Sequence, residues 1–83
     1  MDSNMYAIIR PNTHAFPHNS PSFAVEIFDD DGNRIGSRAV LEANLPPFTT
    51  EQRAISMLGS YTADIEDVHR DGDGFRVENL RPL

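Results

Sequence analysis

Residues 67–78 read DVHRDGDGFRVE, and two folds compete for them. Aligned on a calcium-binding loop, Asp67, His69, Asp71, Gly72, Asp73 and Glu78 take loop positions 1, 3, 5, 6, 7 and 12. Such a loop needs a helix on each side, oxygen donors at its early positions and a bidentate Glu at its end. Here position 3 is His69, and position 8 is Gly74, where an apolar side chain is usual. The segment that follows, FRVENLRPL, is strand-like and runs into Pro82. The stretch also holds two Asp-Gly pairs, a strong hairpin signal because glycine enters positive φ without steric cost. It is therefore read as a β-hairpin with arms DIEDVHR (64–70) and FRVENLR (75–81), Ile65 and Val68 on one arm and Phe75, Val77 and Leu80 on the other. A weak calcium-binding domain stays as the third functional alternative.

Working outward, ANLPPFTTEQRAISMLGSY (43–61) carries the one helix expected. Pro46 and Pro47 block an earlier start. Thr49 and Gln52 have capping-box spacing. Ala54, Ile55, Leu58 and Tyr61 recur at helical intervals, Gly59 is a plausible terminator, and the spacing predicts about ten to twelve residues. Upstream, SFAVEIF (22–28) alternates, with Phe23, Val25 and Ile27 on one face. The turn DDDGN follows, and RIGSRAVLE (34–42) returns as the antiparallel partner, with Gly36 marking a bulge. MYAIIR (5–10) reads as a first strand. PNTHAFPHNSP (11–21), with three prolines, reads as a loop. The order β-ββ-α-ββ predicts an α+β fold: a mostly antiparallel sheet of four to five short strands with one helix packed on it. Phe23, Val25, Ile27, Ile55, Leu58 and Val77 are its expected core.

Eighty-three residues suffice for one small domain with a thin core. The absence of cysteine excludes disulfide scaffolds, thiol nucleophiles and Cys-based zinc sites. The N-terminus lacks the pattern of a secretory signal and no segment approaches a membrane span, so a cytoplasmic protein is expected. The formal net charge is −6, and all seven basic residues are arginine. No basic footprint for nucleic acid is present. Codon bias of a GC-rich genome is one reading of the missing lysines.

Catalytic and metal constellations are sparse. His14 and His18 have i, i+4 spacing, but Pro17 disfavours a helix there and no carboxylate joins them. Serines are scattered without an elbow motif, and no glycine-rich phosphate loop exists. His69 between Asp67 and Asp71 would sit in water at a hairpin end. No enzyme activity and no cofactor are expected. The acids are more suggestive: Asp29, Asp30 and Asp31 crowd one turn, and Asp64, Glu66, Asp67, Asp71 and Asp73 crowd another stretch. The plain reading is that aspartate favours turns and charge gives solubility. The functional reading makes the two hairpin ends one anionic patch for an Arg/Lys-rich groove, because duplex phosphates repeat at about the rise of a β-strand. Phe16, in the proline-rich loop, is a candidate interface anchor or else a lid on the sheet.

The segment SFAVEIFDDDGNRIGSRAVLEANLPPFTTEQRAISMLGSY followed by DIEDVHRDGDGFRVENLRPL resembles, in its order of hairpin, helix and hairpin, some small acidic phage-encoded anti-CRISPR proteins. These share no common motif, so the resemblance transfers no residue as functional. It implies a stoichiometric, non-enzymatic inhibitor that binds a bacterial CRISPR effector complex, often over its DNA-binding surface, in the host cytoplasm. A generic phage or bacterial accessory protein is an equal expectation. The competing expectation is an adaptor or oligomerisation module acting through sheet edges and the apolar residues of 43–48.

Overall fold

The computed structural model describes residues 5–11, 22–41 and 50–83. Among these, an antiparallel five-stranded sheet has the order β3-β2-β1-β6-β5, from β1 (Tyr6–Pro11), β2 (Ser22–Phe28), β3 (Arg34–Leu41), β5 (Val68–Asp71) and β6 (Gly74–Val77). A separate pair joins β4 (Tyr61–Thr62) to β7 (Arg81–Pro82). One helix, α1 (Glu51–Ser56), packs on the sheet, so the fold is α+β as expected.

The first strand becomes the centre of the sheet. Its apolar run lets it pair with β2 on one side (Ala7 with Ile27, Ile9 with Val25) and β6 on the other (Ala7 with Val77, Ile9 with Phe75). Strand alternation then puts Ala7, Ile9, Phe23, Val25, Ile27, Phe75, Val77 and Val68 on one face, where Ala54, Met57, Leu58, Ala63 and Leu80 close the core. Five of the six expected core residues are buried; Ile55 packs partly buried against them.

The helix is shorter than its periodicity predicts, at six residues. The cap is Thr50, whose Oγ1 accepts from the Arg53 backbone N–H at 3.2 Å. Gln52 therefore falls one position too early for a reciprocal cap, and Thr49 lies outside the described residues. At the other end the Ser56 hydroxyl donates to the Arg53 carbonyl at 2.6 Å. The Leu58 N–H bonds Ile55 rather than Ala54, tightening the last turn before Gly59 at φ +74°.

Both expected hairpins are present. In the first, Asp29 Oδ1 accepts from the backbone N–H groups of Asp31 (3.0 Å) and Asn33 (2.9 Å), and Gly32 takes φ +83°. The bulge predicted at Gly36 is one residue earlier: Ile27 pairs with Gly36 and Phe28 with Arg34, which leaves Ile35 unpaired. In the second hairpin, Asp71 pairs with Gly74, and Gly72 at φ +62° supplies the left-handed first position of a two-residue turn.

The outer parts of the arms differ from expectation. Residues Ile65–Asp67 form a 3-10 turn, and Ile65 is half exposed. Asn79 takes φ 54° and donates from Nδ2 to Asp67 Oδ1 at 3.1 Å. This turns the chain out of β6, buries Leu80 and sends Arg81–Pro82 to β4 instead of back along β5. A short polar side chain that bonds locally makes asparagine one of the few residues suited to that conformation.

Candidate functional site

The pairing register locates the acidic residues. Phe28 pairs with Tyr6, so the turn carrying Asp29, Asp30 and Asp31 lies at the start of β1. Phe75 pairs with Ile9, so the turn flanked by Asp71 and Asp73 lies at the end of β1. The two hairpin turns therefore sit at opposite ends of the sheet and form no single patch. Asp64, Glu66 and Asp67 precede β5, whose Val68 pairs with Val77 beside Ala7, and so share the end of Asp29–Asp31. Three strand spacings separate β2 from β5, roughly 14 Å. The eight acids thus fall into three groups.

Several of these carboxylates serve the fold. Asp29 organises its own turn. Asp64 pairs with Arg81 at 3.2 Å, tying the 3-10 turn to β7. Asp67 receives the Asn79 amide. Asp31, Glu66, Asp71 and Asp73 are exposed and make no ion pair among the described residues. Asp30 is exposed as well.

The same geometry separates the six residues that align with a calcium loop. Asp67 and Glu78 lie at one end of the β5–β6 hairpin, where the Glu78 N–H bonds the Asp67 carbonyl at 3.0 Å. Asp71 and Asp73 lie at the other, beyond four-residue strands that span about 13 Å. Among the described residues, no three His, Asp or Glu side chains group as a metal-holding set. Phe16, His14, His18 and the 43–48 segment lie outside the described residues.

Two arginine arrangements were illegible before the strand register was known. On the core side, Arg70 of the edge strand β5 lays its guanidinium 5.0 Å from the Phe75 ring centre and pairs through Nε with Glu51 at 2.9 Å. Its stem covers the core rim while its charge stays wet. On the opposite face, Tyr6 and Phe28 stack at 5.0 Å, Arg76 lies 4.5 Å from the Tyr6 ring centre, and Arg76 Nε holds Glu78 at 2.9 Å. Glu26 and Arg34 pair on that face at 3.1 Å. Cross-strand alternation of Arg and Glu is a sequence signal for such a face, but which strands are neighbours is not.

The shallow depression lined by Ile8, Arg10, Asp71, Gly72, Asp73 and Phe75 encloses about 220 Å³ between the end of β1 and the second turn. Its described lining residues include no nucleophile with an adjacent base. Among the described residues, no helix is long and apolar enough to cross a membrane. No family model, curated protein or solved structure matches the chain.

Proposed function

We propose that the chain is a non-enzymatic protein-binding inhibitor that occupies an Arg/Lys-rich surface of a bacterial nucleic-acid-handling complex, as anti-CRISPR proteins of the kind it resembles do. The observation that carries this reading is the arrangement of uncommitted carboxylates. Asp31 at one end of the sheet and Asp71 and Asp73 at the other are exposed and outside the internal ion pairs of the described residues. The six-residue β1 holds the two groups apart by roughly 20 Å, so each end of the sheet meets the partner as a separate contact. A rigid sheet presents such charges with little ordering cost on binding. The net charge of −6 adds a long-range field that draws a basic partner in.

The test is capture from a bacterial lysate on the immobilised protein at low and at high salt, with identification of what is retained. The captured complex is then assayed for duplex DNA binding with and without added protein. Electrostatic capture that fades with salt, and DNA displaced stoichiometrically, are the expected results. Capture indifferent to salt, with DNA binding intact, sinks the reading.

A further inference from the structure

Among the described residues, strand β3 is an eight-residue edge of the sheet, and alternate N–H and C=O groups of an edge strand face away from its neighbour. Its core-side residues are Gly36, Arg38 and Val40, facing Ile27, Val25 and Phe23 of β2. Beside it runs a groove of about 160 Å³ lined by Ile27, Gly36, Arg38, Leu58, Gly59 and Tyr61. Gly36 leaves the floor of this groove unfilled: a Cβ there would stand 3.9 Å from Ile27, in ordinary contact and without backbone strain. The Arg38 guanidinium lies over Gly59, where the missing Cβ gives it room. Arg38 is exposed and makes no ion pair among the described residues, whereas Arg34, Arg70, Arg76 and Arg81 each hold a carboxylate.

From these observations we infer that the β3 edge captures an extended, acidic peptide segment as a sixth strand. The occupant has an apolar side chain and a carboxylate two residues apart. Residues so spaced share one face of a strand, and this places the apolar group over Gly36 and the carboxylate at Arg38. Charge selects this occupant over a β3-to-β3 pairing of two copies. β3 itself (RIGSRAVL) carries two arginines and no acid, so β3 paired with β3 offers Arg38 no carboxylate. The surface is separate from the acidic sheet ends, and the inference stands or falls independently of the inhibitor reading.

The experiment uses the full chain and a fluorescein-labelled, end-blocked octapeptide of threonine in which valine and aspartate stand two residues apart. A second peptide carries lysine in place of aspartate. Saturable anisotropy is expected with the aspartate peptide, with amide shifts confined to β3 and the 57–61 segment, and the lysine peptide should bind roughly tenfold more weakly. Gly36→Val fills the groove with a residue suited to a strand and should abolish binding without lowering the melting temperature. Arg38→Glu should reverse the preference between the two peptides, a result that does not depend on Gly36→Val folding well. The combined D31N, D71N and D73N variant should bind the peptide as the parent does. Equal binding of both peptides by the parent, full affinity in a folded Gly36→Val variant, or sedimentation as a dimer without peptide uptake each overturns the inference.

Discussion

Two residues show how single atoms hold this fold. Leu58, two residues past the end of α1, is 1% exposed within the core. Leu58→Ala should cost about 2–5 kcal/mol, through lost transfer energy and the cavity left behind. In so small a domain that is a melting-temperature loss of about 10 °C or more, read by circular dichroism. Gly74 is fixed for a different reason. A Cβ at that position would run into the Ile9 carbonyl and crowd Arg10 Cα at 3.2 Å, so the start of β6 comes this close to β1 only because residue 74 has no side chain. At Gly72 the φ of +62° would strain any substituted side chain, but the space around it is open. Gly74→Ala should therefore destabilise more than Gly72→Ala, the latter by about 1 kcal/mol. Equal urea midpoints for the two variants would show that the close approach to β1 is not what Gly74 serves.

At the scale of elements, polar side chains act as local staples on a thin core. Thr50 caps α1 and Asp29 ties the first turn. Thr50→Ala should cost about 1 kcal/mol, a large fraction of what can hold a six-residue helix in place. Its Leu58 amide should exchange faster with deuterium in proportion. Glu51 and Arg70 join α1 to β5, but both side chains are about 40% exposed. A double-mutant cycle on that pair should give a coupling no larger than about 1 kcal/mol. A small coupling beside a large loss for Arg70→Ala alone would mean that Arg70 works mainly through its contact with the Phe75 ring.

For the whole molecule, the excess negative charge sits at the two ends of one sheet. Neutralising Asp31, Asp71 and Asp73 together removes charges that make no ion pair among the described residues. Stability should therefore hold level or rise slightly as self-repulsion falls. If the inhibitor reading is right, the triple Asp→Asn variant associates with its partner more slowly at low salt and dissociates at nearly the parent rate. Stopped-flow mixing at two salt concentrations checks this. Unchanged association at both would shift attention to the β3 edge.

Local chemistry was enough to find the elements that depend on neighbours in the chain. Alternation in SFAVEIF, and the Asp-Gly pairs, specified both hairpins, because strand period and turn conformation are set within a few residues. The α+β class followed from their order. The helix length was not legible, because Ser56 and Gly59 end it through a back-bonded hydroxyl and a left-handed residue that the apolar stripe does not report. Nor was the β4–β7 pair, which depends on Asn79 turning the chain out of β6. The candidate site was legible as residues and illegible as a surface. Aspartate-rich turns stand out in a sequence, but which end of the sheet each turn occupies is decided by β1 pairing antiparallel with both β2, which runs into its turn, and β6, which leaves its turn. The groove beside Gly36 and Arg38 likewise exists only because residues 58–61, which follow α1, are brought against β3. Such pairings between distant segments follow from burying one apolar face of the whole sheet, and no local pattern encodes them.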